Sequence, residues 1–229
     1  MKCERIKGII FDFDGVLVDS NKIRKDTYFA IFSHVERSEE FVEEGLRENP
    51  EKNRYAIIES ILKKLRANKL MQFEDLESER DSFVERYNGI TEDKVSKANE
   101  IRGAERALFL LSKRYHLFVV TGTIMRSLNI VLDNRGLRKY FKGLYGGDTG
   151  WKDESLRTLM KEWGLGPEEL VYVGDGKADY ECAREFGIPF VGIINETNDF
   201  RDREDVKWKL HDLERLPEMI EEIEGELKR

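Results

Sequence analysis

Four short apolar runs punctuate the chain: GIIFDF (8–13), LFVVTG (117–122), LVYVGD (170–175) and PFVGII (189–194). Each is hydrophobic on both faces and closes on Gly, Asp or Thr. Such runs predict strands of a buried parallel sheet. KGLYGG (142–147) predicts a fifth strand. Between them lie patterns of helical period. Residues 104–113 carry Ala107, Leu108, Leu110 and Leu111 on one broad face. The segments 125–135, 155–163 and 178–186 are each followed by a glycine, Gly136, Gly164 and Gly187, as a helix C-terminus prefers. Strand–helix alternation of this kind predicts an α/β fold, a doubly wound, Rossmann-like parallel-sheet core.

Residues 21–99 read differently. No strand pattern occurs there. Helical periodicity spans 22–32, 39–47, 54–65 and 73–87, with Tyr55, Ile58, Ile61, Leu62 and Leu65 forming one stripe. Polar joints, DSN (19–21) and NEIRG (99–103), flank the block. The organisation expected is a catalytic core from 1–17 and 100–229, with 18–99 inserted after the first strand as a hinged α-helical cap. The C-terminal LERLPEMIEEIEGELKR (213–229) predicts an amphipathic structural helix.

Composition narrows the function. The chain has 229 residues, enough for one large domain or a domain with a sizeable insertion. A formal net charge of -7 disfavours nucleic acid as a partner, because phosphate backbones demand clustered Lys and Arg. The two cysteines, Cys3 and Cys182, lie far apart and form no C-x-x-C pair, so neither a zinc site nor a disulfide framework is expected. No apolar run approaches a membrane span and no signal-like segment opens the chain, so a cytoplasmic protein is expected.

The chemistry lies at the strand ends. Asp12 and Asp14 close the first run, Asp175 closes LVYVGD, and Asp179 follows four residues later. In open parallel sheets, ligands bind outside the carboxyl ends of the strands. Acids from separate strands should therefore converge there. At about 4 Å and an effective dielectric near 20, each like-charged pair costs roughly 4 kcal/mol. A divalent cation relieves that cost, and hard oxygen ligands favour Mg²⁺ over zinc. Asp is also a common turn and cap residue, and Asp19 with Ser20 reads that way, Ser20 capping the next helix. Thr121 and Gly122, just past a strand, can offer an O–H and a backbone N–H to a phosphoryl oxygen. Lys152 precedes a helix in GWKDESL. Lys22, Arg24, Lys25, Arg54 and Tyr55 are candidates to reach the cleft and contact a leaving group, against a reading of each as an ordinary solvated or packed helix residue. His34, His116 and His211 carry no assigned role.

Taken in order, FDFDGVLVDS, VVTGT, Lys152 and VGDGKADYECA resemble the haloacid dehalogenase superfamily, in particular its phosphoglycolate phosphatase-like branch with a helical cap. The resemblance implies a Mg²⁺-dependent phosphatase for a small phosphorylated metabolite. It implies Asp12 as the nucleophile forming an aspartyl-phosphate and Asp14 as the general acid and base. Asp12, Asp14 through its main-chain carbonyl, and Asp175 would hold the metal, with Asp179 assisting. Thr121, Gly122 and Lys152 would grip the phosphoryl group, Lys152 also offsetting charge on Asp12. Gly176 stands where related sequences often carry Ser, Thr or Ala, which implies a local change in that loop. Asp14 favours phosphate chemistry over carbon–halogen cleavage, since dehalogenases of the family lack that second acid. A phosphosugar mutase is the enzymatic alternative. A phospho-Asp signalling domain or a silent scaffold is the non-enzymatic one.

Overall fold

The computed structural model describes residues 6–48, 54–148, 150–196 and 198–227. Cys3 and the last two residues of the expected C-terminal helix lie outside them. The described chain divides into two compact units, 1–20 with 98–229, and 21–97.

The first unit is built on six parallel strands in the order β3-β2-β1-β4-β5-β6. They are β1 (Gly8–Phe11), β2 (His116–Val120), β3 (Phe141–Tyr145), β4 (Leu170–Gly174), β5 (Phe190–Ile193) and β6 (Trp208–Leu210). The sixth strand is not foreshadowed by an apolar run. It is three residues long at the sheet's edge and carries a lysine at its centre. The central strands are sealed on both faces, which is why they read as unbroken hydrophobic runs. Chain order reverses between β1 and β4, the switch point where open α/β sheets leave a crevice.

The helices of the second unit are α1 (Asn21–Phe32), α2 (Ser38–Glu48), α3 (Arg54–Ala67) and α4 (Leu76–Lys97). Their apolar stripes meet in a core containing Phe32, Ile58, Ile61, Leu62 and Phe83, with the Phe32 and Phe83 rings stacked at 4.5 Å. Arg54 is buried, donates to the Asn88 side-chain oxygen and lies over the Tyr87 ring. Tyr55 is exposed beneath the Arg80 guanidinium. Helix α4 runs ten residues beyond the expected end at Tyr87, because Thr91 and Val95 continue its buried side while its exposed faces are polar.

The remaining helices belong to the first unit: α5 (Ala104–Leu111), α6 (Met125–Asn134), α7 (Lys152–Trp163), α8 (Lys177–Phe186) and α9 (Leu216–Leu227). Gly164 and Gly187 end α7 and α8 in the left-handed conformation, at φ 62° and 72°. A side chain there would be strained. Helix α7 begins at Lys152, three residues earlier than the apolar pattern indicates. Its first turn carries Asp153 and Glu154, acids that favour a helix start but leave no hydrophobic signature. Among the described residues, no helix is long and apolar enough to cross a membrane.

Candidate active site

Parallel register brings the acids together. Phe11 pairs with Val173 on one side and Val119 on the other. The next residues, Asp12, Gly174 with Asp175, and Val120 with Thr121, therefore leave the sheet at the same edge. The Asp12 N–H donates to the Val173 carbonyl at 2.9 Å, so the nucleophile candidate is still tied to the ladder. Asp179 arrives from the first turn of α8. Its approach requires Gly174, where an added Cβ would lie 2.4 Å from the Asp179 Cβ.

Asp12, Asp175 and Asp179 are all buried, and each offers a carboxylate oxygen to one cluster whose atoms lie within 4.8 Å of one another. Lys152 closes the set. Its Nζ donates to Asp179 Oδ1 at 2.5 Å and lies 3.5 Å from Asp12 Oδ2. Burial pushes the Asp12 carboxyl well above its ordinary range. The charges of Asp179, Asp175 and Asp14 push the same way, and Lys152 opposes them. For Lys152, burial favours loss of the proton, but Asp12 and Asp179, then Asp175, outweigh it and hold the ammonium charged.

Asp179 is the most fully engaged of the three. Its Oδ1 also accepts the Tyr172 hydroxyl at 2.8 Å, and its Oδ2 accepts the Gly176 N–H at 3.0 Å. That last bond is half of a capping box at the start of α8, and it needs no side chain at Gly176. Asp179 is thus chiefly the anchor of Lys152. Asp12 is the opposite case: its buried Oδ1 has no hydrogen-bond partner among the described residues. A buried carboxylate oxygen without a donor is costly. Beside two more acids, it suits a hard divalent cation. The donor set, all oxygen, fits Mg²⁺ rather than a thiophilic metal.

The Asp14 carboxylate is held separately. Ser20 Oγ donates to its Oδ1 at 2.5 Å and Thr123 Oγ1 to its Oδ2 at 2.7 Å. The Ser20 hydroxyl, expected to cap α1, is thus directed at Asp14. Thr121 is buried, and its hydroxyl oxygen accepts the Thr123 N–H at 3.2 Å. Gly122 adjoins a second close approach. A Cβ on Gly147 would stand 2.4 Å from the Gly122 carbonyl oxygen, and the Gly147 N–H already donates to the Thr123 carbonyl. Backbone meets backbone there, so neither side can yield cheaply. Gly147→Ala should displace the 121–123 loop. Steady-state kinetics should show kcat/KM falling at least about tenfold, by about 1.4 kcal/mol of positioning lost.

Beyond the residues expected, the structure adds Ser20, Thr123, Tyr172, Asn195 and Asn198. Asn195 Nδ2 donates to Asp175 Oδ2 at 2.7 Å, and Asn198 Nδ2 donates to the Asp175 carbonyl at 2.8 Å. Ser20 and Thr123 stood within the FDFDGVLVDS and VVTGT motifs, Ser20 read only as a helix cap, and the other three had no pattern to single them out. Cys182 sits on α8 with its thiol pushed up to about 12 by burial, which makes it a poor nucleophile.

Comparison with known proteins agrees with this architecture. The haloacid dehalogenase-like hydrolase family matches residues 9–193, and the chain belongs to that family. A phosphorylated carbohydrates phosphatase from Thermotoga maritima is 27% identical over 209 residues, covering 85% of this chain and 88% of its own. A phosphoglycolate phosphatase from Aquifex aeolicus is 31% identical over 186 residues, covering 80% and 82%. Among solved structures, a predicted phosphoglycolate phosphatase from Haemophilus somnus superimposes with a TM-score of 0.76 at 19% identity, over 95% of this chain and 99% of its own. CbbY from Rhodobacter sphaeroides, in complex with phosphate, gives 0.69 at 16% identity, over 92% and 96%. Within the family the protein is phosphoglycolate phosphatase-like.

Proposed function

We propose that this protein hydrolyses a small phosphomonoester, a phosphoglycolate-like acid or a sugar phosphate, in a Mg²⁺-dependent reaction through an aspartyl-phosphate on Asp12. The observation that carries the proposal is the Asp12 carboxylate. It is buried at the sheet's carboxyl edge, with one oxygen lacking a donor among the described residues and Lys152 Nζ 3.5 Å from the other. Its two named relatives, phosphatases of phosphorylated carbohydrates and of phosphoglycolate, support the substrate class.

Asp12 attacks phosphorus, and the bond to the leaving oxygen breaks. Asp14 gives that oxygen its proton. A water then attacks the acyl-phosphate while Asp14 takes a proton back, releasing inorganic phosphate and restoring Asp12. Ser20 and Thr123 suit this alternation. A hydroxyl can donate to the ionised carboxylate and, after rotating, accept from the protonated one. Lys152 stays charged beside Asp12 and faces the phosphoryl charge that develops there. Thr121 O–H and Gly122 N–H orient the phosphoryl oxygens. Asp12, Asp175 and the Asp14 carbonyl would hold Mg²⁺, with Asp179 in support. When bound, the ion neutralises the clustered acids and polarises the phosphoryl group.

The test is phosphate release from a panel of phosphomonoesters with Mg²⁺ and with EDTA. Turnover should require the metal. Release no faster than that of Asp12→Asn across the panel would defeat the proposal, and isomerisation without net phosphate loss would point to a mutase.

A further inference from the structure

The loop that follows β5 is tied to Asp175 twice. Asn198 is its organiser. Its Nδ2 donates to the carbonyls of both Asp175 and Ile193, each at 2.8 Å, and its Oδ1 accepts the N–H groups of Asn195 and Phe200 at 3.4 and 3.3 Å. Phe200 is fully buried in the core of the sheet unit, which pins the far end of the loop. The near end is pinned because the Ile194 N–H donates to the β6 residue Leu210 at 2.8 Å. Between these anchors Asn195 presents its amide to the Asp175 side chain, Nδ2 to Oδ2 at 2.7 Å.

A carboxylate at a strand end can rotate about two side-chain torsions. Turned one way, Asp175 joins Asp12 and Asp179. Turned the other way, it escapes their repulsion. Without a donor from the protein, the second orientation is favoured whenever no cation is bound. We infer that Asn195 is a positioning residue for the divalent ion, holding the Asp175 carboxylate in the inward orientation so that the site is formed before the ion arrives. This rests on the metal-dependent reading of the site given above. It adds a residue outside the Asp, Thr and Lys set and makes the post-β5 loop part of metal recognition. Partners of this kind, bonded to a ligating group, typically contribute 10–100-fold to metal affinity.

The experiment is Mg²⁺ titration by calorimetry on the whole protein without substrate. Wild type, Asn195→Leu and Asp175→Asn are compared, with thermal unfolding in EDTA recorded alongside. Asn195→Leu keeps the side chain's approximate shape and removes its donor. It should weaken Mg²⁺ binding about 10–100-fold. Raising Mg²⁺ to saturation should bring its kcat back to within about threefold of wild type, a split that a general packing defect would not give. Affinity within about twofold of wild type in a folded Asn195→Leu protein overturns the positioning role and leaves the metal reading intact. Unchanged affinity in Asp175→Asn, or no binding by wild type, overturns both. A readout that needs no variant is the Asn195 side-chain amide resonance during the wild-type titration. A saturating shift with the calorimetric Kd supports the proposal, and an amide that does not respond overturns it.

Discussion

Asp12→Asn should abolish turnover and, in EDTA, make the protein more stable. The activity loss is expected at about 10⁴-fold or more, since the substitution removes the proposed nucleophile. The stability gain follows from the carboxyl's surroundings. Burial and then the neighbouring acids hold its protonation above the ordinary value near 3.8, so the ionised form is disfavoured in the folded protein. The folded state then binds more protons than the unfolded one, and stability falls as pH rises from the ordinary carboxylate value towards the raised one. Below both values the penalty disappears. At neutral pH, relief of about 1–2 kcal/mol should raise Tm by about 3–6 °C, and the difference should vanish in acid. Adding Mg²⁺ should reverse the order. Wild type gains about 2.7 kcal/mol at a hundred times Kd, while the variant, short of a ligand, gains less. Melting curves with EDTA and Mg²⁺ across pH test this. A wild type more stable than the variant in EDTA at neutral pH would contradict it.

Lys152→Met should move stability the other way. The substitution keeps most of the stem and removes the charge that sits 2.5 Å from Asp179 and 3.5 Å from Asp12. Breaking a buried pair by deleting one partner costs about 3–5 kcal/mol. For a chain of this size that is a Tm loss of about 6–15 °C in EDTA. Part of the loss should be regained with Mg²⁺. Loss of the cation proposed to face the phosphoryl group should lower kcat/KM about 10²–10³-fold. The helix itself offers no reason for a lysine here. Lys152 is the first residue of α7, where a cation opposes the helix dipole. A position that breaks a local rule and is held by two buried acids serves the site rather than the fold.

The core sheet was legible because its strands are buried on both faces. Ile9, Ile10 and Phe11, or Val171 and Val173, have no polar alternation to confuse. The acids were legible because they end those strands, and parallel register then leaves them little choice of position. What escaped was whatever lacks a repeating signature. Trp208–Leu210 is too short and too charged to read as a strand. The start of α7 lies in a polar turn. Asn195 and Asn198 lie in INETNDF, where amides are ordinary turn formers. Only the folded register shows that both reach Asp175. Tyr172 read as one more strand residue, though its hydroxyl crosses to Asp179.

The position of β1 bears on how the molecule assembles. This strand is synthesised first, yet Gly8 pairs with His116 on one side and Leu170 on the other. Until Leu170 has left the ribosome, Ile9–Ile10–Phe11 has an open edge. The residues 21–97, whose contacts close among themselves, can collapse well before then. Long-range parallel pairing is slow and leaves apolar edges exposed meanwhile. Positioning of Asp12 beside Asp175 is therefore a late event in folding. It depends on strands from the second half of the chain rather than on the segment that encodes it.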